Sequence, residues 1–502
     1  MKTWGNIFLA IIIGLLIQAS LYAQNEARPY IKGLYSLPLS LDPIKMNDTA
    51  SLVVGNLIYD GLLKFSPSLQ IEGALAESWS TSQDGLTLTF KLKPKIIFHD
   101  GTPITAADAK ASLLRALSAE SKVRKFYDCI SDISARDDKT LVITLSHPFP
   151  PFLSVLAGAT AKILPQSKLS GPKFFDHPIG SGAFRFVQQD KSEIHLQRFD
   201  SNYEAKPQIE KMILKATTEE KAIKLAQTGA MDDLASWPLT ADNAIFASGK
   251  KISAPVAATW IIGLNTTKAP FDNLEVRQRF KLAVPTETFR TTFNPDALSA
   301  TGYVPYGLPG SQVKTQITVK NAPPPKAKIT IAIPTELARA SEMKLFFENA
   351  LQAKGWNVEF TLTPWDQLMD GYAKHTLQGF LVSMNMDYPD ADFLLKNFES
   401  TSPDNFSGLK NKKLDELLQN SRASRDRKKR EQLYEEALHL VEESAVTVNL
   451  FYPRANYWVS NCVSGFIPNI LSDVYIDYTK VNFNSDCAMK SAVTAKRMEK
   501  RK

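Results

Sequence analysis

The chain has 502 residues, of which 44% are apolar and 22% charged, an ordinary globular composition. That length is too great for one hydrophobic core and predicts two to four domains. The net charge of +7 sits at the ends: the segment 489–502 sets Lys490, Lys496, Arg497, Lys500, Arg501 and Lys502 against Glu499, and Lys2 adds one more. The chain between is close to neutral, so the positive excess sits on the ends and not on the basic folded face that nucleic-acid binding needs.

At the N-terminus, Lys2 precedes the apolar run FLAIIIGLLI (8–17), too short to span a bilayer, and small residues follow around SLYA (20–23). This pattern predicts a signal peptide over 1–23, cleaved after Ala23. With no cysteine beside that point, no lipoprotein anchor is expected, and the mature protein is expected to be exported, soluble and periplasmic. The basic tail 489–502 is expected to be disordered. Of the three cysteines, Cys129, Cys462 and Cys487, the late pair can bridge in an oxidising compartment; three free thiols are the alternative. Neither CxxC nor a zinc spacing occurs.

The first half predicts strands and turns with interspersed helices. In QDGLTLTFKL (83–92), Asp84-Gly85 makes a turn, and Leu86, Leu88, Phe90 and Leu92 alternate as one face of a half-buried strand. A second Asp-Gly turn opens HDGTPITAADAKASLLRAL (99–117), where Thr105 stands three residues before Asp108, a capping-box start for an amphipathic helix. PIGSGAFRFVQQDKSEIHLQRF (178–199) predicts a Gly-rich bend followed by two alternating strands.

Beyond the stiff PPP (323–325) the pattern changes. KITIAI (328–333) predicts a strand, ELARASEMKLFFENALQAKG (336–355) a helix stopped at Gly355, and NVEFTLT (357–363) a second strand. Together they make a βαβ unit, whose strands are parallel and whose crossover is right-handed. A helix over 365–379 and a strand over 380–386 continue it, and no internal repeat is visible.

Three aspartates follow that last strand: Asp387, Asp390 and Asp392 in DYPDADFLL. Asp387 falls at the strand's carboxyl end, where open α/β sheets bind ligands. A calcium loop counted from Asp387 would put Pro389, Ala391 and Phe398 at ligand positions, so the metal reading fails. Asp390 precedes ADFLLKNF and is expected to cap that helix.

Several stretches in order resemble the extracytoplasmic solute-binding proteins of family 5, the oligopeptide- and dipeptide-binding proteins of ABC importers. They are SLDP (40–43), NLIYDGL (56–62), LAESWSTSQDGLTLTFKL (75–92), FHDGTPITAADAKASL (98–113), IGSGAFRF (179–186), GLNTTKAPFDNLEVRQRFKLAV (263–284), DYPDADFLL (387–395) and NFSGLKNKKLDELL (405–418). The resemblance implies an α/β, two-lobed, periplasmic-binding-protein-like fold of type II with an extra domain inserted in the first lobe. It implies a discontinuous lobe I over 24–59, 177–258 and 455–488, an extra domain over 60–176, and a lobe II over 259–454. ATWIIGLN (258–265) and FYPRANYW (451–458) are then the segments that cross between lobes.

The resemblance also implies that short peptides are held in a closing interlobe cleft and handed to the permease subunits of an ABC transporter. Asp387 matches the aspartate that pairs with the ligand's α-ammonium group, and Trp365 of TPWDQL matches an aromatic lining the site. Asn47 and Thr49, after LDP, are cleft candidates by position. Two departures stand out. Met384 replaces the family's tryptophan, as a flexible pocket wall, and Thr286 replaces an acidic residue. Read without the family, Trp365 is core packing, and Phe126 and Tyr127 of KFYD are surface or core residues that also qualify as cleft lining. Of the cysteine alternatives, the Cys462–Cys487 bridge is favoured, because the exported setting is oxidising.

An enzyme is not expected. The six histidines accompany no HExxH, GxSxG or P-loop, and Ser181 in GSGAF lacks nucleophile-turn spacing. No cofactor, metal or nucleic-acid partner is expected, and the protein is expected to be a monomer. The alternatives on the same scaffold are a nickel chelate, haem, an oligosaccharide or a muropeptide as ligand.

Overall fold

The computed structural model describes residues 28–485 and 487, except 170, 172, 205, 236–242, 306, 309, 310, 312–316, 318, 320, 321 and 425. The signal peptide expected over 1–23 and the tail 489–502 lie outside the described residues. Among those described, no helix is long and apolar enough to cross a membrane.

Turn chemistry builds the inserted domain. Gly85 adopts φ 75° and Asp84 Oδ1 accepts the Leu86 N–H at 3.0 Å, so the chain reverses between the strands Ala76–Thr81 and Thr87–Leu92. Leu88, Phe90 and Leu92 then face inward. Thr140–Leu145 and Ile130–Asp137 complete a four-stranded antiparallel sheet. The Ala106–Ala116 helix covers it, opened by a full capping box: the Thr105 side chain accepts from Asp108 N, and the Asp108 carboxylate accepts from Thr105 N at 2.9 Å. Leu113 and Ala109 of that helix join Phe90 and Ile143 in one core.

A second four-stranded sheet runs in the order Tyr30–Leu34, Lys211–Ala216, Glu193–Arg198, Phe184–Gln189. Its first strand carries a fully buried charge, Lys32, whose Nζ lies 3.0 Å from Asp233 Oδ1. The hydroxyls of Tyr30 (2.8 Å) and Tyr478 (3.1 Å) donate to Asp233 Oδ2, so the carboxylate of the buried ion pair is well hydrogen-bonded and ties residue 478 to the start of the chain. The strand Arg454–Val459 pairs with Lys250–Pro255, and Cys462 is disulfide-bonded to Cys487. The chain's end thus packs with its beginning. The bend at Gly180 fits only glycine, since a Cβ there would lie 2.1 Å from Ile58 O.

The second lobe holds a six-stranded mixed sheet in the order Leu298–Ser299, Thr447–Tyr452, Ala258–Leu264, Gly379–Asn385, Ile329–Pro334, Val358–Thr363. The βαβ unit is present: Ile329–Pro334 and Val358–Thr363 are parallel, joined through the helix Ala340–Gln352. The helix starts at Ala340, not at 336, because Arg339 takes a left-handed φ of 62° that interrupts helical backbone. It ends at Gln352, and Gly355, φ 82°, turns the chain out of it where Trp356 N–H returns to Leu351 O. The lobes are joined where Pro255 pairs with Arg454, and Val256 N–H donates to Pro453 O at 3.0 Å. The chain crosses twice, side by side.

Candidate ligand-binding site between the lobes

The strand Gly379–Asn385 is buried over its first four residues and emerges at Asn385. Its end is pinned to the crossing, since Asn385 is in register with Ala258 and Met386 N–H donates to Ala257 O at 3.0 Å. Asp387 follows at once, at the carboxyl edge of the sheet and beside the hinge.

The three aspartates have different fates. Asp390 is ion-paired with Arg430, and its Oδ1 accepts the Asp392 N–H at 3.1 Å, but the N-cap of the helix Asp392–Leu395 is Ala391, so Asp390 stands one residue short of the cap expected of it. Asp392 is buried and ion-paired with Arg422 at 2.7 Å; burial raises its pKa to about 6 against the pull of that guanidinium. Asp387 has no ion pair or hydrogen bond among the described residues. Its side chain stays exposed to water, yet neighbouring protein strips enough hydration to raise its pKa above 3.8. Lys125 and Lys396 oppose that rise from a distance.

The groups around Asp387 come from several segments. Tyr388 is buried among the inserted domain's apolar residues, with Phe126 edge-on at 6.5 Å and Phe393 at 4.9 Å. Tyr475 accepts the Ala159 N–H at 3.1 Å; burial first, then the Asp387 charge, push its pKa up to about 12. A cavity of about 560 Å³ opens between the inserted domain and the second lobe. Gln70, Trp79, Phe149, Asp390, Arg427 and Tyr434 help to line it, and Arg427 reaches across to Gln70 Oε1 at 3.0 Å. Pro389, two residues beyond Asp387, lies on its wall, while Asp387 itself does not.

The other expected site residues are more scattered. Trp365 begins the helix Trp365–Ala373 at the carboxyl end of the edge strand, two strands away from Asp387, and is 48% exposed. The core-packing reading of Trp365 is therefore overturned: as the first residue of a helix at a sheet edge, its indole faces outward. Met384 is half-buried against the second lobe's own core, beside Phe380 and Val382. Asn47 and Thr49 are exposed at the start of the helix Thr49–Ile58, and Asn47 Oδ1 accepts from Lys122 Nζ at 3.4 Å. Tyr127 is core, fully buried. Lys125, Tyr388, Lys396 and Tyr475 escaped the sequence reading; only KFYD, flagged for Phe126, pointed near them. Asp190, Glu193 and His195 have metal-like spacing on a hairpin, but Lys215 already pairs with Glu193, and backbone N–H groups of Ser192 and Glu193 occupy Asp190.

Residues 70–406 match the family model for bacterial extracellular solute-binding proteins, family 5 (middle part). The chain belongs to that family. The glutathione-binding protein GsiB of Pectobacterium atrosepticum is 28% identical over 349 residues, covering 68% of this chain and 63% of that protein, so the match spans under two thirds of the relative. Among solved structures, HbpA2 from Haemophilus parasuis aligns with a TM-score of 0.83 at 20% identity, over 91% of this chain and all of that one. DppA from Helicobacter pylori, in complex with the peptide STSA, aligns at 0.72 and 22% identity, over 91% of this chain and 98% of the other. The fold of this family 5 protein is the two-lobed type II binding-protein fold expected from its sequence motifs.

Proposed function

We propose that this protein is the substrate-binding component of an ABC-type importer, capturing short peptides in the interlobe cleft outside the cytoplasmic membrane and passing them to permease subunits. One observation carries the reading. Of three neighbouring carboxylates, two are neutralised by arginines and the third, Asp387, is exposed beside the hinge with no partner among the described residues. A carboxylate partly stripped of water and given no partner favours a cationic ligand, and the α-ammonium of a peptide supplies one. The peptide in the DppA neighbour and the glutathione named for GsiB support a peptide-like cargo. Such a ligand offers the same main-chain donors and acceptors whatever its sequence, which suits a receptor of broad range.

Trp365, Met384, Asn47 and Thr49 are assigned to the cleft walls by their family positions, with Asp387 as the anchoring charge. Mass spectrometry of material released from the purified protein tests the proposal. Short peptides with free N-termini are expected; haem, a nickel chelate or an oligosaccharide as the released species would overturn it.

A further inference from the structure

The cavity of about 560 Å³ between the inserted domain and the second lobe has the size of a small-ligand site. Both sides of the gap give it rings. Trp79 and Phe149 come from the inserted domain, where each packs on that domain's core yet stays only half-buried. Pro148 and Pro150 flank Phe149 on the same wall. Tyr434 comes from the helix Arg427–Glu443 of the second lobe and is anchored in that lobe's core. An aromatic group held here would meet apolar wall from both sides.

The charges on this wall cancel. Among the described residues they are Asp390, Arg427, Arg430 and Glu431, and they pair off, Asp390 with Arg430 and Arg427 Nε with Glu431 Oε1 at 2.8 Å. A charged group entering the cavity would lose water and find no unpaired counter-charge, whereas an aromatic one would gain burial. Asp387 is the opposite case, a carboxylate without a partner that stands outside this cavity. Two residues of chain span at most about 7 Å, and Pro389 is on the wall. A peptide whose ammonium sits at Asp387 therefore has side chains within reach of the cavity.

We propose that this cavity is a side-chain specificity pocket for the cargo, selecting peptides that carry an aromatic residue over those that carry a charged one. The inference rests on the proposed peptide cargo and adds Trp79, Phe149 and Tyr434 as specificity-determining residues. Main-chain contacts leave the rest of the cargo's sequence open, so breadth and selectivity belong to separate parts of the cleft. Because the rings come from both sides of the gap, an aromatic side chain gains its full burial only when the lobes are together.

Calorimetry on the purified protein tests it, with trialanine and its variants carrying Phe, Lys or Glu at each position in turn. At one position Phe should bind about tenfold tighter than Ala, the worth of burying one ring, and Lys and Glu should bind no better than Ala. Trp79→Leu keeps apolar bulk at the wall and should remove most of the Phe advantage, leaving the trialanine affinity unchanged. Glu431→Gln tests the charge balance without touching the core. It frees Arg427, so the Glu peptide should gain several-fold over its affinity for the parent and the Lys peptide should gain nothing. The melting temperature should not move, because a solvent-facing pair one helical turn apart adds little stability. Equal affinities for all side chains at every position, a Phe advantage that survives Trp79→Leu, or a Glu peptide indifferent to Glu431→Gln would each overturn the inference and leave the peptide reading standing. If no peptide of the set binds, both fall.

Discussion

Replacing Asp387 with Asn tests the site most directly, because it removes a charge and almost no volume. A charge-assisted contact to a ligand ammonium is worth ~1.5–3 kcal/mol. Water still reaches this exposed side chain, so the lower half of that range applies, a loss of roughly 10- to 40-fold in Kd. Calorimetry at neutral pH against a tripeptide and its N-acetylated form should show that loss only for the free amine. The capped peptide binds both proteins alike. The pH profile adds a second readout. Burial raises the Asp387 pKa above 3.8, so wild-type affinity for the amine falls as acidification protonates the carboxylate, beginning above the ordinary carboxylate range. The Asn variant should be flat there. Folding provides the control: a carboxylate whose folded pKa is raised subtracts stability when ionised, so Asp387→Asn should not lower the melting temperature. Equal loss for capped and uncapped peptides, or a flat wild-type profile, would refute the reasoning.

His99 should make stability depend on pH. Its Nε2 lies 3.0 Å from Gly182 O and its Nδ1 accepts from Gly180 N–H, an arrangement that needs the neutral ring; burial lowers its pKa from 6.5 to about 4. The unfolded chain takes up this proton first as pH falls. Wild type should therefore lose up to about 3 kcal/mol between pH 6.5 and 4 relative to His99→Gln in denaturant titrations, and parallel curves would count against it. The disulfide joins residues separated by 25 positions, so Cys487→Ser should cost about 3 kcal/mol by loop entropy, read from urea unfolding. Cys129 is buried with its pKa pushed up to about 12, so a thiol reagent should label it only after denaturation. Gly180→Ala drives a Cβ to within 2.1 Å of Ile58 O, and unfolding titration should find it destabilised by roughly 1–3 kcal/mol.

Local rules made much of the fold legible. The Asp84-Gly85 turn, the Thr105–Asp108 capping box and the βαβ unit each depend on a few adjacent residues or on one periodic run, and all three occur as expected. The left-handed Arg339 was not legible, because nothing in its residue type demands positive φ. At the site, Asp387 was legible since the end of a strand can be read from where its apolar run stops. What makes it distinctive was not. Its neighbours' neutralisation by Arg422 and Arg430 joins residues 30 and 40 positions apart. The approach of Lys125 brings together elements from different domains, and no spacing rule encodes such a meeting. Trp365 shows the converse. Its composition suggested a core residue, while its place as the first residue of a helix on an edge strand leaves it outward.

The same features bear on how the cleft closes. Tyr388 of the second lobe is buried among the inserted domain's side chains, and Arg427 bonds across to Gln70, so the lobes meet on both an apolar and a polar contact. Bringing them together also places Asp387 where protein displaces part of its water and offers no counter-charge in contact. Closure therefore gains apolar burial and at the same time penalises an ionised carboxylate. On the proposed role of Asp387, the two effects oppose each other in the ligand-free protein and hold the closed population down. A cationic ligand cancels only the penalty, because its ammonium takes the place of the lost water. Its differential affinity for the closed state is then the anchoring contact itself, roughly 10- to 40-fold by the range above, enough to move a minor closed population to parity or beyond. A ligand without a cationic end would gain the same burial and leave the penalty in place. On that same proposed role, selectivity for amines and the signal for closure would come from one side chain, and Asp387→Asn should loosen both together: the ligand-free variant should shift toward the closed form, measurable as a smaller radius of gyration in solution scattering, while its response to an amine ligand shrinks. A variant whose ligand-free radius matches wild type, with the amine-induced compaction intact, would separate the two and break this account.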